Sequence, residues 1–135
     1  MIKRYDDWQL RFEKAVAENM NKPFEWGSHD CVLWGANAVL AITGYDAADG
    51  FRGTYDSALG AAKVLKELGG MEKLTTDKLG VEPVAAGYAN VGDILLVNLE
   101  GQLTMAVCNG ETMLAPSELC LVALPTLSAL KTWKV

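Results

Sequence analysis

One apolar stretch, residues 32–43, constrains the fold of this chain more than any other feature. It carries only two polar side chains, and the eight residues directly before it include the only histidine, His29. A helix that is apolar all round must be buried on most of its sides, so the pattern predicts a central helix over about 30–43. Gly44 is typical of the residue that follows a helix, and Cys31 falls in the first predicted turn.

Helical patterns come first in the chain. An apolar side chain at every fourth position predicts an amphipathic helix over residues 6–21, capped by Asp6 or Asp7. Thr54 is a suitable cap for a third helix, which would turn Leu59 toward the core. Together the patterns predict helices over 6–21, 30–43, 55–68 and 71–79.

Strand patterns follow after residue 80. Asn109-Gly110 is the strongest hairpin signal in the sequence. The predicted strands cover residues 93–97, 103–108, 111–114, 119–124 and 131–135. Because helices precede strands, the sequence predicts an α+β fold with an antiparallel sheet. We expect a single domain over residues 1–135, with a helical part at about 6–80 and a sheet part at about 81–135.

Composition excludes several classes of function. The 135 residues carry a net charge of -5, which argues against a nucleic-acid backbone or an anionic membrane as the main partner. No stretch approaches the roughly 18 apolar residues of a membrane span, and the first residues lack the apolar core of a secretory signal. The three cysteines, at 31, 108 and 120, form no C-x-x-C pair, so we expect neither a disulfide framework nor a zinc site, and no cofactor.

Cys31 stands where a cysteine hydrolase would place its nucleophile. The first turn of a helix has free backbone N–H groups and the positive end of the helix dipole, and both favour the thiolate over the thiol. Such an enzyme also needs a histidine on the neighbouring sheet to take the thiol proton, and a polar group to orient that histidine.

The sequence resembles the NlpC-type papain-like cysteine peptidases of cell-wall metabolism, and more closely a phage and prophage family of unknown function within that superfamily. The likeness covers about residues 24–135. It rests on four short motifs taken in order: Trp26-Gly27-x-x-Asp30-Cys31, Phe51-Arg52-Gly53, Gly92-Asp93-Ile94-Leu95-Leu96-Val97 and Trp133-Lys134-Val135. The resemblance implies a papain-like fold in which a buried central helix, among N-terminal helices, packs on a C-terminal antiparallel sheet. It also implies kinship with phage tail-tip proteins.

The chain departs from the peptidase pattern at two positions. In those peptidases the catalytic histidine opens the strand after the glycine-aspartate strand, and Thr104 occupies that place here. The orienting polar residue would end the following strand, where this chain has Ala115. Threonine cannot act as a base near neutral pH, and alanine cannot orient one. The resemblance therefore implies a degenerate catalytic site.

His29 is the one imidazole that could replace the missing base. It lies two residues before Cys31, and residues two apart do not face each other on a helix. His29 is then a loop residue or a cap contact, Asp30 caps the helix, and Cys31 is a small buried side chain. The alternative interpretation makes Cys31, His29 and Asp30 a non-standard catalytic set.

Three hypotheses about function follow. In the first, a catalytically degenerate domain is made in the host cytoplasm, joins the virion tail, and acts as a structural or assembly component of a phage tail tip or baseplate. Its partners are then other phage tail proteins, and the exposed loop at 45–53 is a candidate contact region. In the second, an active cysteine peptidase or amidase cleaves peptidoglycan. In the third, a host-directed binding protein uses the vestigial cleft.

Overall fold

The computed structural model describes residues 2–135 and has an α+β architecture in which four helices precede a five-stranded antiparallel sheet. The helices are α1 (Trp8–Asn19), α2 (Leu33–Thr43), α3 (Ala58–Glu67) and α4 (Met71–Leu79). The strands are β1 (Ile94–Leu99), β2 (Gln102–Cys108), β3 (Thr112–Pro116), β4 (Leu121–Pro125) and β5 (Lys131–Trp133), in the spatial order β4-β3-β2-β1-β5. The α+β prediction is confirmed.

Helix α2 is the central helix that the apolar stretch predicts. Seven of its residues are buried, and it packs against α1 on one side and β2 on the other. Gly35 lets the sheet approach closely, because a Cβ atom there would stand 3.2 Å from the Cβ of Met105. Gly44 ends the helix in the left-handed conformation, φ 78°, and its N–H donates to the carbonyl of Leu40 at 2.9 Å.

Helix starts were the least accurate part of the sequence prediction. Helix α2 begins three residues later than expected. Asp7 precedes α1 but makes no capping bond, because its carboxylate accepts a hydrogen bond from Arg11 at 2.7 Å instead. Helix α3 begins at Ala58 and is capped by Ser57, not by Thr54. Leu59 therefore lies in the first turn of α3, and although it was expected in the core it is 82% exposed.

Two apolar clusters cover the two faces of the sheet. The face toward the helices belongs to the main core around α2. The opposite face carries a second buried cluster, covered mainly by small side chains from the 3₁₀ turns at Ala86–Tyr88 and Thr126–Ser128 and the residues beside them. That cluster consists of Leu95, Val97, Ala106, Cys108, Met113 and Ala115. Cys108 is thus fully buried, whereas Cys120 is only half-buried.

A buried carboxylate joins the two ends of the chain. Asp93 is 1% exposed, and its carboxylate accepts four hydrogen bonds. Two come from cations, the Arg4 guanidinium at 3.2 Å and the Lys134 ammonium. The other two come from the backbone N–H groups of Asn90 and Val135, each at 2.9 Å. Two cations and two N–H groups thus compensate one buried charge. The aspartate of the glycine-aspartate strand is an anchor of the fold.

Over residues 2–135, no helix has both the length and the apolar character that crossing a membrane requires.

Candidate functional site around Cys31

A tight hairpin over residues 25–29 leads into the site. The backbones of Glu25 and His29 exchange two hydrogen bonds, each of 2.9 Å. Gly27 lies at the turn with φ +91°, and a Cβ atom there would stand only 2.4 Å from the backbone oxygen of Tyr55. Only glycine meets both conditions, so this hairpin packs directly against the segment before α3.

Asp30 connects the hairpin, helix α2 and that segment. It is fully buried, and one carboxylate oxygen accepts from the N–H groups of Val32 at 3.0 Å and Leu33 at 2.9 Å. The other oxygen accepts from the N–H of Gly27 at 2.9 Å and the hydroxyl of Tyr55 at 2.8 Å. The expected capping role of Asp30 is observed, and the carboxylate has two further partners that the sequence did not reveal.

The environment of Cys31 differs from that of an activated thiol. The residue lies in the turn before α2 and is 1% exposed. Asp30 already binds the first free N–H groups of the helix. Burial, and then the charge of Asp30, raise the pKa of the Cys31 thiol to about 12. Cys31 is thus the small buried side chain that we expected, and at this helix start desolvation and a neighbouring anion outweigh the helix dipole.

Strand β2 lies beside Cys31 but does not offer it a base. The N–H of Met105 donates to the Cys31 carbonyl at 2.7 Å, and the Met105 side chain shares the core cluster of Cys31. Side chains alternate along a strand, so Thr104 shares the opposite sheet face with Ala106. The Thr104 hydroxyl donates to the carbonyl of Gln102 at 3.2 Å. The threonine at the expected histidine position thus bonds to its own strand and offers the cysteine no base.

The other expected position, Ala115 on β3, is likewise unable to assist. Ala115 is fully buried in the apolar cluster on the far face of the sheet. The amide nitrogen of Gln102 stands 3.9 Å from the Cys31 sulfur and also donates to the Leu103 carbonyl at 3.1 Å. An amide has no proton-accepting nitrogen, so Gln102 cannot replace the histidine.

His29 is buried without a hydrogen bond from its side chain. It is 2% exposed, and among residues 2–135 neither ring nitrogen has a hydrogen-bond partner. The ring lies 5.9 Å from the ring of Trp34, at a tilt of 57°. Burial, and then the charge of Lys22, lower the pKa of His29, while Asp30 opposes the shift. His29 is therefore neither a cap nor a hydrogen-bonded partner of Cys31.

Loop 45–53 is fixed to the domain and is less exposed than the sequence suggested. Ala48 and Phe51 are buried. The Arg52 guanidinium makes two hydrogen bonds to the Asp46 carboxylate, at 2.9 and 3.0 Å, and a third to the side-chain oxygen of Asn37 on α2 at 2.8 Å. These bonds hold the phenylalanine-arginine-glycine motif against the central helix.

Sequence reasoning missed two residues that contact the site, Tyr55 and Gln102. Tyr55 was taken as the first residue of a helix, and burial together with its bond to Asp30 raises the pKa of its hydroxyl. Gln102 directly precedes the strand predicted over 103–108 and was assigned to no element. Neither has a neighbouring sequence signal, because both reach the site through tertiary contacts.

The remaining features near the site offer little room for chemistry. An apolar cavity of about 30 Å³ lies between α2, α4 and the sheet, bordered by Val32, Gly35 and Met105. Over the described range 2–135, no three His, Cys, Asp or Glu residues are grouped so that they could hold a metal ion.

A family model described as a domain of unknown function, DUF6950, matches residues 3–135. No curated protein and no solved structure matches the chain.

Proposed function

The chain belongs to the DUF6950 family, and we propose that this member is a papain-like domain of the NlpC type that has lost hydrolase chemistry and serves as an assembly component of a phage tail tip. The observation that carries the proposal is the state of Cys31: its thiol is buried, its pKa is raised to about 12, and the only imidazole of the chain makes no bond to it. A thiol in that state has almost no thiolate at neutral pH and no base to form one.

The arrangement around the cysteine supports a papain-like origin. Cys31 precedes a buried helix, that helix packs on an antiparallel sheet, and the N–H of Met105 on β2 binds the Cys31 carbonyl. These are the spatial relations that the resemblance implies for a nucleophile and its sheet. The assignment to a phage tail rests on the resemblance to the phage and prophage family, and it is compatible with a fold kept intact without catalytic groups.

Alkylation of Cys31 tests the loss of chemistry. A pKa near 12, three units above the usual value of 9.0, lowers the thiolate fraction at pH 7 about a thousandfold. Iodoacetamide labelling of the folded protein, followed by peptide mapping, should therefore find Cys31 labelled far more slowly than the half-buried Cys120. Labelling of Cys31 at pH 6 to 7 that is faster than that of free cysteine would revive the hydrolase hypothesis.

Genetic complementation tests the assembly role. In a phage or prophage that encodes the chain, deletion of its reading frame should stop the formation of complete tails, as judged by electron microscopy and particle titre. Complementation with Cys31→Ala should restore particles, because no chemistry is required. Normal particles from the deletion strain would contradict the assembly role, and restoration by the wild type but not by Cys31→Ala would favour peptidoglycan cleavage.

A further inference from the structure

A buried imidazole with two unpartnered nitrogens is costly for a folded protein. Neutral histidine has one donor and one acceptor, and each loses its hydrogen bonds to water when it is buried. Among residues 2–135 neither nitrogen of the His29 ring has a hydrogen-bond partner, and the residue is 2% exposed. An apolar side chain of similar size at this position would avoid the penalty. The packing of the hairpin therefore does not explain why the chain has a histidine here.

The neighbours of His29 make its protonated form still less favourable. Lys22 repels a positive imidazole, and the indole of Trp34 on α2 offers no acceptor. Asp30 attracts it, but the two oxygens of that carboxylate already accept four hydrogen bonds. A proton on His29 thus adds a buried charge that has no hydrogen bond and no free counterion.

The remaining charged groups around the hairpin cannot supply that counterion while the hairpin is closed. The exposed carboxylate of Glu25 accepts from the hydroxyl of Ser28. From the β3–β4 connection, Glu118 contributes its backbone carbonyl, which accepts from the N–H of Phe24 at 3.1 Å, and its side chain is in solvent. A protonated His29 can therefore reach water only if the hairpin moves away from its closed position.

We propose that His29 is an acid-responsive latch: its protonation releases residues 24–29 from the body of the domain. The backbone bridge between Glu25 and His29 closes the hairpin itself. Three bonds tie the hairpin to the body: from the N–H of Gly27 to Asp30 at 2.9 Å, from the side-chain amide of Asn37 to the carbonyl of Ser28 at 3.2 Å, and from the N–H of Phe24 to the carbonyl of Glu118 at 3.1 Å. The bridge is on the histidine itself, and the bonds of Gly27 and Ser28 lie within two residues of it along the chain. Movement of the imidazole into water therefore disturbs them together.

The direction of the pH dependence follows from the preference for neutral imidazole in the closed state. Above the ordinary histidine pKa of 6.5 both states are neutral and the hairpin stays closed. As the pH falls below 6.5, the open state binds a proton first, and opening becomes more frequent until the closed state also protonates. Each unit between the two pKa values increases the opening equilibrium roughly tenfold.

The single histidine allows a direct test by NMR. The imidazole of the wild-type protein should titrate with a pKa below 6.5. Over the same pH range, hydrogen exchange corrected for its intrinsic pH dependence should lose protection at the N–H groups of Glu25, Gly27 and His29, by a factor of about ten for each unit by which the measured pKa lies below 6.5. Protection of β1, such as that of Leu95, should remain unchanged in the same samples. A pKa at or above 6.5, or equal protection of the hairpin at pH 7.5 and pH 5, would overturn the proposal.

Two substitutions separate the latch from general acid sensitivity. His29→Gln keeps a polar side chain that does not titrate, and His29→Phe replaces the imidazole with an apolar ring. In both, the hairpin's corrected exchange should be independent of pH between 7.5 and 5. Loss of protection at acid pH in these variants, to the wild-type extent, would assign the effect to another group. If a variant does not fold, the wild-type titration still decides the question.

Discussion

Replacement of Asp30 by alanine gives the most direct test of how this domain is held together. The substitution removes a buried carboxylate that accepts four hydrogen bonds, three of them from backbone N–H groups. These donors belong to the hairpin, to the start of α2 and to the segment before α3. We therefore expect Asp30→Ala to lower the stability of the whole domain and not only that of one helix end.

The loss of stability in Asp30→Ala depends on which of the four donors can form a hydrogen bond to water instead. The hydroxyl of Tyr55 can rotate toward solvent, and the N–H of Gly27 is half-buried. The N–H groups of Val32 and Leu33 lie in the buried start of α2 and have no replacement acceptor. Each buried donor left without a partner costs about 1–3 kcal/mol, which gives about 4 kcal/mol for Asp30→Ala. Domains of this size have free energies of unfolding of roughly 5–15 kcal/mol, so the loss is large.

Urea denaturation followed by tryptophan fluorescence measures the change. Tyr55→Phe removes a single donor and should lower the free energy of unfolding by about 1 kcal/mol. Asp30→Asn keeps one oxygen for the start of α2 and should fall between the two other variants. Asp56→Ala, at an exposed position nearby, should have little effect. A loss below about 1 kcal/mol for Asp30→Ala, with an unchanged denaturant slope, would refute the view that Asp30 connects these three segments.

Three further predictions concern other parts of the fold. Gly27→Ala should lower the free energy of unfolding by about 2 kcal/mol more than Gly53→Ala does. Both glycines have positive φ, but only at Gly27 would the added Cβ atom meet a backbone atom, the oxygen of Tyr55 at 2.4 Å. Equal losses for the two variants in urea denaturation would argue against the contact. Asp93→Ala should cost about 2–3 kcal/mol because it removes the acceptor of the N–H groups of Asn90 and Val135 and the counterion of the partly buried Arg4 guanidinium; a loss under about 1 kcal/mol would show that the anchor is dispensable. Above pH 9 the Cys31 thiol ionises in the unfolded chain before it ionises in the folded protein, so the free energy of unfolding should fall as the pH rises toward 12. The fall should be less steep in Cys31→Ala. Identical alkaline profiles of the two proteins would contradict the raised pKa.

Periodicity sufficed for the broad architecture and failed at the ends of the elements. The apolar segment at residues 32–43 and the Asn109-Gly110 hairpin carry strong local signals, and α2 and the β2–β3 hairpin appear where they indicate. The start of α3 depends on which of two hydroxyl side chains caps it. Thr54 and Ser57 are both suitable cap residues, but the hydroxyl of Thr54 donates to the carbonyl of Phe51 at 2.6 Å, and that of Ser57 accepts from the N–H of Gly60; periodicity cannot distinguish the two.

The burial of Cys31 was expected from the sequence, but the pKa of its thiol was not. A helix start favours a thiolate only where water or a cation also stabilises the charge, and the sequence does not show how completely the thiol is desolvated. The capping role of Asp30 was expected as well, but not that its charge raises the pKa of the neighbouring thiol. Both effects depend on tertiary packing.

The tryptophan-glycine-x-x-aspartate-cysteine motif can now be explained almost entirely without catalysis. Gly27 is required by its positive φ and by the nearby backbone of Tyr55, Asp30 by its four donors, and Cys31 by a fully buried position that accepts only a small side chain. A chain that no longer cleaves anything would still need these three residues to fold. His29 is the exception, because packing gives no reason for a buried imidazole with no partner. Selection for a response to acid would supply that reason, whereas selection for stability alone would have removed the histidine.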